Sequence, residues 1–471
     1  MNRPIVRLYG LVVVLFALLI GFTSRWTIFE ASSLRENHLN ARGVLEQEHI
    51  ARGPIVAADG TVLARSVRHA ENVYVRSYPT GSLFASPIGF YQVAGQGATG
   101  VEKQRSSDLN GARSSNLQSI LDQLQGKQQK GDKVVTSLDP TAQRVAVKAL
   151  AGHDGAVVAL EPRSGAVTVM ASSPSFDPNA VGKRQPAGSS FVNRATQFGY
   201  APGSTFKIVT ATAAIDTGAY TAESTVDGRN GILVSGVPLR NDDEASYGQI
   251  SLTKALALSV NTVWAQVAEH VGKPTIARYM ERFGFDKKPQ LDYPAAEMSA
   301  SGEYRDERLL PPTSRFVDLG RLGIGQDKLE VTPLQMAEVA ATVANGGKLM
   351  VPHLTSRVVN AEGEVVDRIE PHLQSDVMKP STATAVRTMM EAVVNEGTGV
   401  SAQIPGVQVA GKTGTAETQI GTSINNVWFI AFAPAQNPRV AIAVTLAHVP
   451  GQGAAFAAPV ARQVIESLLR K

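Results

Sequence analysis

The sequence predicts an α+β protein with a larger C-terminal domain, a smaller N-terminal pedestal domain and one transmembrane helix. An uncharged apolar run at residues 8–22 indicates the helix. The larger domain is indicated by the order of its patterns: strand hairpins begin it near residue 133, helices fill its middle, and strands return near its end. That order favours a sheet assembled from both ends of the domain, with helices packed on it.

Two basic residues, Arg3 and Arg7, precede the apolar run, which with its flanks approaches the ~20 residues that a membrane-spanning helix needs. Positive charge before the first span favours a cytoplasmic N-terminus. We therefore expect residues 1–30 to form a single-pass anchor in the cell membrane, with the rest of the chain outside the cytoplasm. A cleaved signal peptide is the alternative, but no A-x-A site follows the run.

Composition limits the classes of function. The chain has 471 residues, enough for two or three domains, and its 43% apolar and 18% charged content is that of an ordinary globular protein. The net charge of +4 is small for this length and does not argue for a nucleic-acid partner. Cysteine is absent, which excludes disulfides, thiolate catalysis and cysteine metal sites. We predict no metal and no cofactor.

Residues 31–132 are predicted to form the pedestal. Their patterns are a polar helix at 32–47, short strands with glycine-rich turns, a second polar helix at 114–125 and a linker at 127–132. Nothing in this part suggests chemistry. Strands that return from the second domain, residues 133–471, would complete its sheet.

The motif that organises the second domain is residues 201–207 (APGSTFK), followed by an apolar helix. A Pro-Gly turn delivers Ser204 to the first turn of that helix, and Lys207 lies three residues later on the same face. A serine hydroxyl becomes a useful nucleophile when a neutral amine takes its proton, and burial makes a lysine neutral. The alternative is an N-cap serine with a solvated lysine, and these residues alone do not exclude it.

A second S-x-x-K pattern, Ser251 to Lys254, also opens a helix, and Ser251 is interpreted there as an N-cap. That helical pattern runs on to Ser259 and Asn261, a hydroxyl and an amide two residues apart. Both side chains can reach one cleft only where the backbone departs from a regular helix. The S-x-N pattern is common, so alone it favours a structural role.

The third motif is residues 411–416 (GKTGTA), interpreted as the end of a strand because apolar and polar residues alternate before it. Lys412 supplies a cation for a carboxylate, and Thr413 adds a hydroxyl beside it. Gly411 and Gly414 allow close approach of another backbone.

These three motifs, 55 and then 153 residues apart, resemble those of the class B penicillin-binding proteins, which are peptidoglycan D,D-transpeptidases. Further matching segments are residues 193–195 (NRA), 332–337 (TPLQMA), 344–347 (ANGG) and 428–431 (WFIA). The resemblance covers residues 133–471, and the short N-terminal module looks most like a dimerisation-type pedestal of actinobacterial members. It implies a penicillin-binding, serine β-lactamase-like fold with an antiparallel sheet and flanking helices. Ala201 departs from the family, where proline is common.

The resemblance implies a role for each catalytic residue. Ser204 would attack the penultimate D-alanine carbonyl of a stem peptide and release D-alanine. Lys207, neutral, would take its proton, and a positive Lys412 would help to keep it neutral. Ser259 would relay a proton to the leaving amine, and Asn261 would hold the substrate amide and the lysine.

It also implies the binding groups. Lys412 and Thr413 would bind the terminal carboxylate of the substrate, with Gly414 and Thr415 beside it. The backbone N–H groups of Ser204 and Thr415 would form an oxyanion hole. The expected partners are stem peptides ending in D-Ala-D-Ala, β-lactam antibiotics, the cytoplasmic membrane and a membrane peptidoglycan glycosyltransferase.

Alternatives stay open within the same chemistry. A D,D-carboxypeptidase, a β-lactam sensor or a β-lactamase-like acyl-serine protein would share the three motifs. Residues 391–395 match the E-x-x-x-N signature of class A β-lactamases, but lie in an amphipathic helix pattern and are interpreted as structural. Residues 406–413 (GVQVAGKT) fit a phosphate-binding loop, which requires a helix directly after it, and the sequence predicts more strand there.

Overall fold

The computed structural model describes residues 3–25, 49–70, 73–92, 97–111, 130–242, 244–417 and 424–470. The polar helices predicted at 32–47 and 114–125, and the first half of the linker at 127–132, lie outside the described residues.

The α-helices of the described residues are α1 (Arg3–Ser24), α2 (Ala85–Ile88), α3 (Gly100–Gln104), α4 (Ser106–Leu109), α5 (Pro140–Ala149), α6 (Lys207–Asp216), α7 (Leu252–Ala257), α8 (Asn261–Val271), α9 (Lys273–Arg282), α10 (Leu319–Gly323), α11 (Pro333–Ala344), α12 (Pro380–Glu396) and α13 (Gly453–Leu469). Short 3-10 helices occur at Gly81–Phe84, Pro178–Ala180, Gly203–Phe206, Ala295–Glu297 and Val400–Ala402.

The strands of the described residues are β1 (Ile55–Val56), β2 (Val62–Ala70), β3 (Val73–Ser77), β4 (Tyr91–Gln92), β5 (Gly97–Ala98), β6 (Lys133–Thr136), β7 (Asp154–Leu160), β8 (Val167–Ser173), β9 (Thr225–Asp227), β10 (Ile232–Val234), β11 (Val237–Leu239), β12 (Gln249–Ser251), β13 (Gly302–Arg305), β14 (Arg308–Leu310), β15 (Leu329–Glu330), β16 (Lys348–Met350), β17 (Thr355–Val359), β18 (Val365–Arg368), β19 (Leu373–Asp376), β20 (Ala410–Glu417), β21 (Ile424–Ala433) and β22 (Val440–Pro450).

The N-terminal helix α1 is long and apolar enough to cross a membrane, and none of its residues is buried against the rest of the protein. Its first turn carries Arg3, and Arg7 follows one turn later. A helix that exposes apolar side chains all round is stable in lipid rather than in water. This agrees with the predicted membrane anchor.

The pedestal contains a six-stranded sheet with the order β18-β17-β6-β1-β2-β3. Strand β6 lies parallel to β1, and β17, which comes much later in the chain, pairs antiparallel with β6. The expected return of strands from the second domain is therefore observed. The predicted domain boundaries at 30/31 and 132/133 stay predictions.

The larger domain is built on a five-stranded antiparallel sheet with the order β20-β21-β22-β7-β8. Its first hairpin, β7–β8, comes early in the domain, and its last three strands come at the end of the chain. The α+β class and the antiparallel sheet assembled from both ends are confirmed.

Alternate residues of the central strands face opposite sides of this sheet. Val157 packs with α5 and α13 on one side, whereas Val158 packs with α11 on the other. Two of the helices that cover the sheet start from an N-cap and a proline: Asp139 caps α5, and Thr332 caps α11. The sheet is thus covered on both faces, and the helical middle of the domain packs against its β20 edge.

Two predicted elements have different bounds in the structure. The helical pattern that opens at Ser251 and runs on to Ser259 and Asn261 is divided into α7 and α8, with residues 258–260 between them. The sequence predicted that residues 411–416 are the end of a strand. In the structure the strand begins at Ala410, so these residues lie within β20. Residues 407–409 instead follow a short turn closed by a bridge between Ile404 and Val407. Pairing with the apolar strand β21 overrides the weak strand preference of the glycines and the lysine.

Candidate active site

Ser204 lies in the 3-10 turn Gly203–Phe206, which leads directly into α6. Nine of the ten residues of α6 are buried, so this helix runs through the core of the domain. The Trp428 side chain holds the start of the turn, because its Nε1 donates to the Ala201 carbonyl at 2.9 Å. The serine is buried but for 7% of its surface.

Two glycines let this turn lie directly against β20. Gly203 has φ +51°, and a Cβ there would lie 2.5 Å from the Thr415 carbonyl oxygen. A Cβ on Gly414 would lie 2.6 Å from the Pro202 carbonyl oxygen. Real Cβ contacts are longer than this, so both positions require glycine. The turn that carries Ser204 is therefore in backbone contact with the strand that carries Lys412.

Ser259 lies between α7 and α8 with φ +60°, in the left-handed region that residues other than glycine seldom adopt. The helix is interrupted here, as the sequence analysis required if Ser259 and Asn261 were to reach one cleft. The interpretation of Ser251 as an N-cap is also correct: its hydroxyl accepts from the Lys254 backbone N–H at 3.3 Å. Lys254 is partly exposed and pairs with Glu396 at the surface.

The Lys207 amine is fully buried and faces the Ser259 segment. Its Nζ lies 2.8 Å from the Ser259 carbonyl oxygen, 3.2 Å from Ser259 Oγ and 2.7 Å from Asn261 Oδ1. These three contacts fill the hydrogen-bonding capacity of an amine.

The Lys412 amine is also fully buried and approaches Ser259 from the sheet. Its Nζ lies 3.0 Å from Ser259 Oγ and 2.9 Å from the Thr413 carbonyl oxygen, with Thr413 Oγ1 at 3.4 Å. The Ser259 hydroxyl therefore bridges two lysine amines that belong to different elements of the fold.

Two buried amines this close cannot both carry a full charge at low cost. Burial lowers the pKa of Lys207 to about 7, while Asp242 acts in the opposite direction. Burial, followed by repulsion from Lys207, lowers the pKa of Lys412 well below its usual value, again against the effect of Asp242. Near neutral pH the two amines therefore do not both carry a positive charge, and a neutral amine is available as a base.

The Ser204 hydroxyl makes no hydrogen bond with Lys207 or with any other residue that the structure describes. Catalytic hydrogen bonds are often loose until substrate is bound, so this does not exclude Ser204 as the nucleophile. Thr415, predicted to bind substrate, accepts from the Gly453 backbone N–H through its hydroxyl at 3.3 Å. The roles assigned to all eight predicted site residues stay predictions.

Two residues that the sequence analysis did not single out contact this cluster. Asp242 accepts from Asn261 Nδ2 through Oδ1 at 2.7 Å, and the Arg240 carbonyl lies 3.3 Å from the same nitrogen. Thr398 places its hydroxyl 2.6 Å from that of Thr413. Neither residue lies in a recognisable local pattern, because folding brings each of them to the cluster from a distant loop.

The structure also bears on the alternatives. Strand β20 continues past Thr413 to Glu417, so no helix follows the segment that resembles a phosphate-binding loop. Glu391 lies within α12 beside Arg387 and Gln436, away from the lysine cluster. Within the described residues no group of three or more histidine, aspartate or glutamate side chains is arranged to hold a metal ion.

Comparison with protein families gives two matches that together span most of the chain. Residues 155–466 match the penicillin-binding protein transpeptidase domain. Residues 52–134 match the dimerisation domain of penicillin-binding protein A. The first match includes all eight of the predicted site residues.

Similar proteins include two mycobacterial ones described as peptidoglycan D,D-transpeptidase PbpA. That of Mycolicibacterium smegmatis is 33% identical over 503 residues, covering 100% of both chains. That of Mycobacterium tuberculosis is 32% identical, covering 100% of this chain and 99% of its own.

Solved structures of penicillin-binding protein A are also similar to this chain. The imipenem acyl-enzyme complex of penicillin-binding protein A from M. tuberculosis has a TM-score of 0.79 at 32% identity, covering 90% of this chain and 100% of that one. The penicillin G acyl-enzyme complex of the same protein has a TM-score of 0.77 at 32% identity, covering 89% and 99%.

Proposed function

The chain belongs to the penicillin-binding protein transpeptidase family, and from that premise we propose that it is a peptidoglycan D,D-transpeptidase acting through an acyl-enzyme on Ser204. The observation that carries this proposal is the Ser259 hydroxyl, which lies 3.2 Å from Lys207 Nζ and 3.0 Å from Lys412 Nζ. A hydroxyl shared by two buried amines is suited to moving a proton between them. An N-cap serine with a solvated lysine has no such arrangement.

In the acylation step, Ser204 Oγ attacks the carbonyl carbon of the penultimate D-alanine and loses its proton to neutral Lys207. A tetrahedral intermediate forms, with its oxyanion held by the backbone N–H groups of Ser204 and Thr415. The C–N bond to the terminal D-alanine then breaks. Ser259 passes its proton to the leaving nitrogen and takes up from Lys207 the proton that came from Ser204, so that D-alanine departs as an amine and an ester remains on Ser204.

Charge on the two lysines is set by the substrate. The terminal carboxylate binds Lys412 and the Thr413 hydroxyl, and a carboxylate beside an amine raises the pKa of that amine. Lys412 therefore becomes the ammonium when substrate is present, and its repulsion keeps the proton off Lys207. Substrate binding thus prepares the base that the reaction needs.

The second half of the reaction transfers the acyl group. An amine from a neighbouring stem peptide attacks the ester carbonyl, loses a proton and forms the cross-link, while Ser204 regains its proton. Attack by water instead would release the shortened peptide, which is the D,D-carboxypeptidase reaction. β-Lactams acylate Ser204 because they resemble the D-Ala-D-Ala end.

We also propose the setting in which this occurs. Helix α1 spans the cytoplasmic membrane once with its N-terminus inside, and residues 31–132 raise the catalytic domain, residues 133–471, above the outer face. A membrane glycosyltransferase that makes the glycan strands is the partner that such an enzyme requires. The enzyme works in cell-wall synthesis during growth or division.

Labelling with a fluorescent penicillin tests the proposed nucleophile. The parent protein is expected to become covalently labelled, and Ser204→Ala to lose the label. The chain supplies a matched control in Ser251→Ala, which removes the serine of the second S-x-x-K pattern and is expected to label like the parent. Labelling of Ser204→Ala would show that another residue is the nucleophile.

Product analysis separates transpeptidation from carboxypeptidation. Purified full-length protein is incubated with a stem peptide ending in D-Ala-D-Ala and an amine acceptor, and the products are separated by mass. Cross-linked dimers are expected for a transpeptidase. Release of D-alanine without dimers would instead favour the carboxypeptidase.

A further inference from the structure

We propose that Asp242 is a positioning residue of this active site, which orients Asn261 and supplies the negative charge that keeps one proton on the lysine pair. This rests on the proposed function and deepens it, because it assigns part of the control of that proton to a loop outside the three motifs.

The lysine pair lacks a direct counter-ion. Lys207 and Lys412 are both fully buried, and among the described residues neither forms an ion pair with a carboxylate. Their contacts are carbonyl, amide and hydroxyl oxygens. Buried charge without a compensating charge is unstable, so the proton on this pair depends on any carboxylate that the fold brings near.

Asp242 is that carboxylate. Its Oδ1 accepts from Asn261 Nδ2 at 2.7 Å, and Asn261 Oδ1 in turn accepts from Lys207 Nζ at 2.7 Å. The amide therefore connects the acid to the amine, with one end bonded to each. Because an amide has a donor end and an acceptor end, the bond to Asp242 fixes which end faces Lys207.

The loop that carries Asp242 is held close to the helix that carries Asn261. Its neighbour Asn241 is buried, and its Oδ1 accepts from both the backbone N–H and the hydroxyl of Thr262, each at 3.1 Å. The Asn241 amide also donates to the Ala245 carbonyl at 2.8 Å. The acid is thus placed by a buried anchor, although its own side chain reaches solvent.

The direction of the effect follows from the groups that face the cluster. These are Lys207 from α6, Lys412 from β20 and Asp242 from the loop before α7, and among the described residues no further charged group acts on either amine. A negative charge favours the ammonium form of both lysines, so it raises both pKa values. Removing the charge of Asp242 therefore moves both limbs of the profile of acylation rate against pH to lower pH. The two limbs belong to the pair rather than to one lysine each.

The experiment compares two substitutions at this position. Asp242→Asn removes the charge but keeps an oxygen that can accept from Asn261. Asp242→Ala removes both. The control is Glu244→Gln on the same loop, where the exposed carboxylate pairs with Arg240 at 3.0 Å and contacts none of the cluster. The second-order rate constant for acylation of the full-length protein by a fluorescent penicillin is measured from pH 5 to pH 10.

Both limbs of the Asp242→Asn profile are expected to move down by about 0.5 pH unit, the size of an interaction between partly solvated charges. The Glu244→Gln profile is expected to stay in place. Asp242→Ala is expected to show the same shift and also a lower rate than Asp242→Asn at every pH, because Asn261 loses its orientation. Thermal unfolding of each variant shows that the comparison is between folded proteins.

A profile for Asp242→Asn that superimposes on that of the parent would overturn the electrostatic role. Equal rates for Asp242→Ala and Asp242→Asn would overturn the orienting role. If the parent is not labelled at all, it is the proposed function that fails, and this inference fails with it. The two failures are therefore distinguishable.

Discussion

The hydroxyl oxygens of Thr398 and Thr413 lie 2.6 Å apart, and this contact joins the end of α12 to the strand that carries Lys412. The Thr398 backbone N–H also donates to the Ala257 carbonyl at 3.0 Å. Gly397 lies so close to Ala257 that a side chain there would overlap the same carbonyl. Thr398 is thus fixed to the helix that ends just before Ser259, and it sets the position of the Thr413 hydroxyl from there.

Thr398→Val is therefore expected to weaken recognition of the substrate carboxylate. Valine keeps the shape but removes the hydrogen bond, and the second-order acylation rate constant should fall about tenfold, which corresponds to one hydrogen bond. Thr398→Ser keeps the hydroxyl and should stay near the parent. Thr388→Val, on the exposed face of the same helix, is the control. Equal rates for Thr398→Val and Thr398→Ser would contradict a role for the hydroxyl.

Ser259→Ala is expected to lower the acylation rate constant by about 10²-fold or more, the usual range for loss of a proton-transfer group. The side chain bridges Lys207 and Lys412, so without it the two amines lose their connection. Ser259→Gly separates the loss of the hydroxyl from an effect of backbone strain, because glycine adopts φ +60° freely. Both variants should lose the same activity, and full activity in Ser259→Gly would show that the hydroxyl is not needed.

The acylation rate constant is expected to depend on pH in the form of a bell. Burial lowers the pKa of Lys207 to about 7, so the fraction of neutral base, and with it the rate, rises as pH increases through 7. On the alkaline side the rate falls as the lysine pair loses its last ionising proton. The pKa of Lys412 is also lowered well below its usual value, by burial and then by repulsion from Lys207, and the two limbs belong to the pair. The measurement is the rate of labelling from pH 5 to pH 10, with penicillin hydrolysis in buffer subtracted. A flat profile between pH 6 and pH 8 would argue against Lys207 as the base.

Much of this site could be predicted from sequence because its chemistry is concentrated in three short motifs. Ser204 and Lys207 lie three residues apart, and this spacing predicts that they share one face of a helix. The break at Ser259 could also be anticipated, since a hydroxyl and an amide two residues apart cannot share a cleft on a regular helix. The overall order of strands and helices was sufficient to predict an α+β domain with a sheet assembled from both ends, whereas the antiparallel arrangement of that sheet was implied by the family resemblance.

What could not be predicted depends on long-range packing. Asp242 and Thr398 reach the cluster from loops whose local sequence has no signal for a site. The small sheets between β9 and β15 consist of strands of two to four residues, too short for alternation to be read. Val407 and Val409 alternate with polar residues like a strand, but the strand begins only at Ala410, and Val407 instead pairs with Ile404 to close a turn.

Gly203→Ala is expected to reduce both stability and acylation. A Cβ at this position would lie 2.5 Å from the Thr415 carbonyl oxygen, and the backbone has φ +51°, so the turn that carries Ser204 must move away from β20. We expect about 1–3 kcal/mol lower unfolding free energy from strain of this kind. Acylation should fall further than stability explains, since a misplacement of about 1 Å costs about 10²-fold.

The control for this glycine is Gly218→Ala. Gly218 also has positive φ, +79°, but a Cβ there would have no atom within 4 Å. It therefore shares the backbone strain without the clash, and it should lose stability while it keeps the labelling rate of the folded protein. Equal loss of labelling in the two variants would mean that the contact between the turn and β20 does not position Ser204.

Glu102→Gln is expected to destabilise the pedestal without altering the chemistry. Glu102 is fully buried, with Oε2 2.9 Å from Arg52 Nη2 and Oε1 in contact with Arg76. A neutral amide leaves two buried guanidinium groups without their counter-ion, and breaking a buried ion pair in this way costs about 3–5 kcal/mol. Chemical denaturation should show that loss for Glu102→Gln. It should show no such loss for Lys103→Gln, which changes the exposed neighbour on α3.

At low temperature, where both variants are folded, their labelling rates should equal that of the parent, because no pedestal residue contacts the lysine cluster among the described residues. A labelling rate that falls in proportion to stability would instead show that the pedestal sheet, through its shared strands β6 and β17, holds the catalytic cleft in shape.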